Sequence, residues 1–212
     1  GLTLSLSGDL SKRSNRYEVA LKNPAINDSD YNGEVEAHST KIEYRRSHYD
    51  SDVKTKGFSV AAGKEVVRNT YVGARYGLDF IKEVYNYIPN SNVPINKRFL
   101  DQDYTNSSIT PYINYDSTND FYFPTAGIKA GASVEYAGVG GDSKYIKPGV
   151  NFRYFYSLED LTELDWILRF KTQAKMLIDE GQINQGDSLY LGGPKTLRGY
   201  KSYAFPNNES GY

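Results

Sequence analysis

Few residues of the chain have the types and spacing that catalysis or metal binding requires. His38 and His48 are the two histidines, and neither has further ligands at metal-site spacing. The segment 101–106 contains carboxylate and amide oxygens, but it lacks the remainder of a calcium-binding loop. Ser188 lies in a Gly-Asp-Ser-Leu-Tyr run without the second glycine of a nucleophile elbow. We therefore predict no catalytic residue, no metal site and no cofactor, and we do not expect an enzyme.

The composition excludes several classes of protein. The 212 residues include 25 basic and 26 acidic side chains, so a basic protein that binds nucleic acid is not expected. Cysteine is absent, which removes disulfide frameworks and thiolate chemistry. No apolar run reaches the roughly 18 residues of a transmembrane helix. A membrane-spanning sheet is still compatible with this composition, because alternating polar and apolar residues keep its average polar.

A period of two dominates the chain, which is typical of strands with one polar and one apolar face. Residues 2–7, 72–80 and 128–136 each alternate between large apolar and polar or small side chains. Several runs exceed the usual globular strand and suit a strand of about 9–11 residues that crosses a bilayer. Nine strands are predicted, at 1–10, 15–23, 32–48, 53–63, 69–86, 107–116, 127–137, 144–158 and 165–180.

The predicted connections fall into two sets at opposite ends of a meander. One set is Asn23-Pro24, Gly63-Lys64, Phe123-Pro124 and 158–165; the other is 9–15, 48–53, 87–106, 137–144 and 180–212. The second set contains the two longest connections, as the outer rim of an outer-membrane barrel does. We therefore predict an all-β, antiparallel up-and-down transmembrane β-barrel. Because nine is an odd number of strands, we expect a fragment of a larger barrel, with a bulge near Thr40 where the alternation loses phase.

The two faces of the predicted strands differ in character. Charged residues share one face, which would line an interior: Arg16, Arg75, Arg153, Arg169, Lys171 and Lys175 with Glu18, Asp79, Glu135 and Asp179. Large apolar residues recur on the other face. Its aromatic members near strand ends would form a girdle at the membrane interface: Tyr17, Tyr76, Tyr136, Tyr156 and Trp166.

Two further segments have a specific composition. The first is a glycine-rich loop at about 181–212 that contains Gly192, Gly193, Leu197, Arg198, Gly199 and Tyr200. The planar fork of an arginine can bridge carboxylates in a polar interior, and glycine permits close passage of the backbone. The second is a strand–turn–strand motif with Asp116, Phe123, Pro124 and Gly127, in which proline fixes φ and glycine frees it.

With these two segments in this order, the chain resembles the BamA family of outer-membrane assembly factors, the bacterial surface antigen barrels. Leu197-Arg198-Gly199-Tyr200 matches the family's Val-Arg-Gly-Phe loop, and Phe123-Pro124-Thr125-Ala126-Gly127 matches its Phe-Pro-Thr-x-Gly turn. The resemblance implies a barrel of about sixteen strands, of which residues 1–212 would form the third to eleventh. It also implies periplasmic POTRA domains, which are not present in this chain.

The resemblance further implies a function and partners. Members of the family fold and insert other β-barrel proteins into the bacterial outer membrane, where a client strand pairs with an exposed sheet edge. The expected partners are the outer-membrane lipid bilayer, unfolded outer-membrane protein clients and accessory assembly lipoproteins. Arg198 is expected to pair with acidic residues beyond Tyr212.

Three other functions are considered for the chain. A two-partner secretion pore or a TamA-like translocation factor would share the Arg-Gly-Tyr loop. A barrel fused to a phospholipase domain is a further possibility within the same superfamily. A soluble β-sandwich or adhesin domain is the alternative from a different class, since half-solvated sheets also alternate.

Overall fold

A computed structural model describes residues 1–45, 49–87, 100–159, 164–182, 187, 189–191, 198–200 and 205–206. The elements in chain order are β1 (Thr3–Leu10), β2 (Ser14–Asn23), a turn of 3-10 helix (Ile26–Asp28), β3 (Tyr31–Arg45), β4 (Tyr49–Val67), β5 (Thr70–Tyr87), β6 (Gln102–Asp116), β7 (Gly127–Ala137), β8 (Lys144–Ser157), β9 (Ile167–Lys175), β10 (Ile178–Gln182), β11 (Tyr190–Leu191) and β12 (Phe205–Pro206). The predicted all-β class is confirmed.

The strands from β1 to β8 lie in one sheet in the order of the chain, and β9 and β10 both pair with β8. The pair β11 and β12 forms a separate two-stranded sheet. This order confirms the predicted antiparallel meander. Two compact units contain, respectively, residues 1–62, 75–109 and 137–144, and residues 63–74, 110–136 and 145–212. None of the described helical residues forms a segment long and apolar enough to span a membrane.

Register in the first unit separates an apolar face from a polar face. Leu6 of β1 pairs with Val19 of β2, which pairs with Ala37 of β3. On the other face, Glu18 pairs with His38. Leu6 and Val19 remain 72% and 47% exposed, although large apolar side chains are normally buried in a soluble protein. The exposed apolar face therefore needs a lipid environment.

The second unit shows the same division. Tyr154 of β8 pairs with Phe170 of β9, and the next residues along, Arg153 and Lys171, pair on the opposite face. Phe170 is 54% exposed. The alternation of residue types in the sequence therefore predicts the two sheet faces correctly in both units.

The predicted turn at Gly63-Lys64 is wrong. Both residues lie inside β4, and the chain turns at Arg68 and Asn69, where Asn69 has a φ of +66°. Glycine at position 63 has a packing reason, because a Cβ there would lie 2.8 Å from the carbonyl oxygen of Val72. Close approach of neighbouring backbones, rather than a turn, requires this glycine.

Four other predictions also differ from the structure. The β3–β4 connection is shorter than 48–53, and β6 begins at Gln102 instead of 107. The pairing of β2 with β3 runs unbroken through Thr40, so it shows no bulge there. The last long strand is interrupted between β9 and β10, where the Met176 amide donates to the carbonyl of Pro148 at 3.0 Å. Proline has no amide hydrogen to return this bond, so the ladder is incomplete at that level.

Candidate functional site

The polar face of β4 is lined by short side chains. Exposed Phe58 and Val60 alternate with positions that are less exposed and carry little side-chain volume. These positions are Thr55, Gly57, Ser59, Ala61 and Gly63. Longer side chains of β3 and β5 therefore have room to meet above β4.

Asp79 of β5 lies directly over Gly57. A Cβ at position 57 would overlap Asp79 Oδ1 and would lie 2.6 Å from the carbonyl oxygen of Leu78. In this position Asp79 Oδ1 is 3.1 Å from His38 Nε2 on β3. The other ring nitrogen, Nδ1, is 3.5 Å from Glu36 Oε1. The imidazole thus lies between two carboxylates, that of Glu36 on its own strand and that of Asp79 on β5.

Arg75 makes a second bridge over β4. Its Nη1 donates to Ser59 Oγ at 3.4 Å. Its guanidinium nitrogens lie 3.7 Å from Glu34 Oε2 and from Glu36 Oε2 on β3. Lys22 of β2 is also 3.1 Å from Glu34 Oε1. Charges on the polar face are therefore balanced between strands.

The polar face of the second unit contains a smaller cluster. The fully buried hydroxyl of Tyr145 donates to Glu135 Oε1 at 2.7 Å. Lys147 Nζ lies 4.4 Å from the centre of the Tyr145 ring and 4.0 Å from Glu135 Oε2. Within the described segments no group of three or more metal-ligating side chains is close enough to hold an ion. These clusters are suited to holding strands together rather than to reaction chemistry.

The connection between β6 and β7 is a turn stabilised by its own side chains. Asn119 Oδ1 accepts from the amides of Thr125 and Ala126 at 3.0 and 3.1 Å. Asp120 Oδ1 accepts from the amides of Phe123 and Tyr122 at 2.7 and 2.8 Å. These two bonds, first that from Phe123, lower the pKa of the Asp120 carboxyl below its ordinary 3.8. The carboxylate form is therefore favoured in the folded turn.

Asp116 anchors the start of this turn. Its Oδ1 accepts from the amide and the hydroxyl of Thr118 at 3.0 and 2.6 Å, and its Oδ2 is 3.1 Å from Lys129 Nζ on β7. Gly127 ends the turn with a φ of +108°, and a Cβ there would overlap the carbonyl oxygen of Ser117. The structure thus brings two of the predicted motif residues, Asp116 and Gly127, to the two ends of one turn.

Aromatic side chains occupy the tip of the turn. Phe121, Tyr122 and Phe123 are 77–79% exposed, and the ring of Phe121 lies 5.2 Å from Lys129 Nζ. Pro124 follows at the point where φ must be fixed, and it is partly exposed. Hydrogen bonding by the preceding Asn119 and Asp120 was not predicted, although an Asn-Asp pair before a turn is a recognisable signal.

The Arg-Gly-Tyr segment is described only in part. Gly192, Gly193 and Leu197 lie outside the described residues. Arg198, Gly199 and Tyr200 are exposed, and Gly199 has a φ of +89° with open space around the position of a Cβ. In the sequence these residues lie between β11 and β12, which pair with each other. A left-handed backbone at Gly199 accounts physically for a glycine in this tripeptide.

Polar residues that join β3 and β5 were only partly identified from the sequence. Arg75 and Asp79 were placed on a polar face, and His38 was rejected as a metal ligand. Glu34, Glu36 and Gly57 were missed. The available signal was a glycine inside an alternating strand, which indicates a close approach from a neighbouring chain segment.

These faces and strand lengths define a membrane-spanning antiparallel sheet of the outer-membrane class. The Omp85 superfamily domain matches residues 1–209, and the chain belongs to this superfamily. It is therefore a bacterial outer-membrane protein.

Two individual proteins are similar to the chain. The outer membrane protein assembly factor BamA of Nitratidesulfovibrio vulgaris strain Hildenborough is 26% identical over 209 residues, which cover 95% of this chain and 25% of that protein. The crystal structure of BamA from Haemophilus ducreyi lacking POTRA domains 1–3 superimposes with a TM-score of 0.75 at 23% identity, covering 96% of this chain and 41% of that one. The chain thus spans about a quarter of its curated relative. The predicted resemblance to BamA is confirmed.

Proposed function

We propose that this chain is part of the barrel of an outer-membrane protein assembly factor, which folds and inserts β-barrel proteins into the bacterial outer membrane. The observation that carries the proposal is the family match over residues 1–209, together with a curated relative that is named for this activity. The clients are unfolded outer-membrane proteins. Accessory assembly lipoproteins are the further partners that we propose.

The physical basis of the proposed activity is strand pairing. A client strand that reaches a sheet edge gains backbone hydrogen bonds, so an exposed edge acts as a template. The apolar face of the sheet holds the template at the depth where the client must enter lipid. No bond is made or broken, so the proposal requires neither a catalytic residue nor a cofactor.

Arg198 is proposed to fix the Arg-Gly-Tyr loop by pairing with carboxylates in the later part of the barrel wall, beyond residue 212. A guanidinium can bind a carboxylate through two parallel hydrogen bonds, which gives orientation as well as energy. The left-handed Gly199 then turns the chain away immediately after the arginine. Tyr200 supplies apolar surface and a hydroxyl beside it.

The test uses the full-length native protein in cells in which its own expression can be switched off. Folded outer-membrane proteins are measured by their heat-modifiable migration in gels. We expect the wild-type gene to restore them, Arg198→Ala to restore them poorly, and Arg198→Lys to give an intermediate result because the bidentate fork is lost. Lys12→Ala, in the β1–β2 connection, is the matched control for removal of an exposed positive charge.

Two outcomes are decisive. If depletion leaves all outer-membrane proteins folded but stops the export of one secreted protein, the chain is a secretion pore and the proposed function is wrong. If depletion does reduce folded outer-membrane proteins but Arg198→Ala fully restores them, the assembly function stands and the proposed role of Arg198 is wrong.

A further inference from the structure

Three lysines on the apolar face have no counterion within the part of the chain that the structure describes. Lys54 and Lys56 of β4 are exposed and in phase with exposed Phe58 and Val60. Lys82 of β5 is exposed and in phase with Phe80, which is 55% exposed. These residues, Lys54, Lys56 and Lys82, are called the outward lysine cluster below.

The register of β4 and β5 follows from two glycines. A Cβ at Gly57 would meet Asp79 and Leu78, and a Cβ at Gly63 would meet Gly73 and Val72. Neighbouring strands run antiparallel, so the residue three before Gly57 lies opposite the residue three after Asp79. Lys54 therefore faces Lys82, and Lys56 faces Phe80.

A directly opposite pair of like charges destabilises a sheet unless an anion lies nearby. Two described acids, Glu43 and Asp52, act on a different lysine. Glu43 is 2.8 Å from Lys41 Nζ, and Asp52 also acts on Lys41. No described carboxylate forms an ion pair with the outward lysine cluster. The missing anion must come from outside this part of the chain.

The height of the cluster indicates the source of that anion. A strand crosses a bilayer in about 9–11 residues. Counted from the turn at Arg68 and Asn69, this length ends at Phe58 on β4 and at Phe80 on β5. The outward lysine cluster begins with the next residue on the same face of each strand. It therefore lies just beyond the hydrocarbon, at the level of lipid headgroups.

The leaflet follows from the connections. The strands β5 and β6 are joined at the lysine end by residues 88–101, whereas β4 and β5 are joined at the other end by Arg68 and Asn69. Long connections of outer-membrane barrels lie on the outside of the cell, and short turns lie in the periplasm. The cluster thus belongs to the outer leaflet.

We infer that the outward lysine cluster is a binding site for the phosphate groups of a phosphorylated lipid in the outer leaflet. Lysine is a compact positive charge that binds phosphate well, and its long stem reaches a headgroup while its methylenes stay against lipid. Three such groups at two adjacent levels of the sheet can neutralise a lipid with two phosphates. A zwitterionic headgroup cannot neutralise them.

The test measures lipid binding to the full-length protein in detergent by native mass spectrometry. The probes are a bis-phosphorylated acylated glucosamine disaccharide, the same lipid without phosphates, and phosphatidylcholine. The variant is Lys54→Gln/Lys56→Gln/Lys82→Gln. Its matched control is Lys12→Gln/Lys171→Gln/Lys175→Gln, which removes the same charge from a connection and from the polar face of β9.

Each basic residue near an anionic lipid surface contributes about 1 kcal/mol, which is about fivefold in affinity. We therefore expect the cluster variant to bind the bis-phosphorylated lipid roughly a hundredfold more weakly. The control variant and the triple Lys→Arg variant should bind as the wild type does. Heat-modifiable migration checks that each variant is folded.

Three results would overturn the inference. Equal losses in the cluster and control variants would mean that only net charge matters. If the wild-type protein bound the dephosphorylated lipid as tightly as the bis-phosphorylated lipid, phosphate would not be the group that is recognised. If millimolar inorganic phosphate displaced the bound lipid as effectively as added bis-phosphorylated lipid does, the cluster would be a site for free anions and not for a lipid of the outer leaflet. This inference does not depend on the proposed assembly function.

Discussion

Gly57→Ala is the smallest change that tests whether bridging across β4 holds the early strands together. The added Cβ would overlap Asp79 Oδ1, and it would lie 2.6 Å from the carbonyl oxygen of Leu78. The Asp79 side chain can swing away, but the Leu78 carbonyl belongs to the backbone ladder and cannot. When Asp79 moves, its 3.1 Å contact with His38 is lost.

The expected cost has two parts. Forcing a methyl group into a filled space costs about 1–3 kcal/mol. The contact between Asp79 and His38 is partly exposed to solvent, so its loss adds no more than about 1 kcal/mol. We expect Gly57→Ala to lower the free energy of unfolding by about 2 kcal/mol.

The assay is unfolding of the full-length protein by urea in lipid vesicles, followed by tryptophan fluorescence and by heat-modifiable migration. Gly77→Ala is the matched control, because it lies on the same polar face and its Cβ would meet nothing nearer than Ser108 Oγ at 3.8 Å. That substitution should be neutral or slightly stabilising, since alanine restricts the unfolded chain more than glycine does.

A double-mutant cycle separates the two causes. Asp79→Ala removes the side chain that Gly57→Ala displaces, so the two changes together should cost less than the sum of their separate costs. Strict additivity would show that Asp79 does not lie over Gly57. Equal effects of Gly57→Ala and Gly77→Ala would refute the bridging argument altogether.

Two further predictions concern the β6–β7 turn. Gly127→Ala should lower the free energy of unfolding by about 2 kcal/mol or more, because it combines a φ of +108° with overlap of the Ser117 carbonyl. The control Gly140→Ala, at a φ of +80° with open space around the added Cβ, should cost only the backbone strain. Urea unfolding measures both variants, and equal losses of stability would contradict the contribution from overlap. Because the pKa of Asp120 is lowered, its contribution to the stability of the turn is complete above pH 3.8 and is lost as the pH falls through the lower pKa of the folded state. The NMR signals of the Tyr122 and Phe123 amides should therefore shift with a midpoint below pH 3.8 in the wild type and should show no such titration in Asp120→Asn. A midpoint at or above pH 3.8 would contradict the hydrogen-bonding account.

Alternation along the chain was sufficient to predict the strands and their two faces. It succeeds because side chains of a strand point to opposite sides, so the residue types record the environment of each face directly. Pairs such as Leu6 with Val19 follow once the neighbouring runs are taken as antiparallel. Boundaries were less predictable where glycine occurs inside a strand, and Gly63 was mistaken for a turn for this reason.

The polar bridges could not be predicted because they depend on the register of three strands. His38, Gly57 and Asp79 are far apart in sequence, and nothing in their local patterns states that one passes over another. The interruption between β9 and β10 has a similar origin, since it depends on Pro148 of the neighbouring strand. Non-local pairing of this kind is decided by packing and becomes visible only in the structure.

The same electrostatic rule accounts for both faces of β4. On the polar face, Arg75 lies beside Glu34 and Glu36 of β3, so its charge is balanced within the protein, and His38 lies between Glu36 and Asp79. On the apolar face, Lys54 faces Lys82 without any described carboxylate at ion-pair distance. Lipid phosphates cannot reach the polar face, and there the protein itself supplies carboxylates beside its cations. A face at headgroup height has phosphates available, so lysines without an ion-pair partner among the described residues are stable there, and it is at that height that the apolar residues of β4 and β5 give way to lysine.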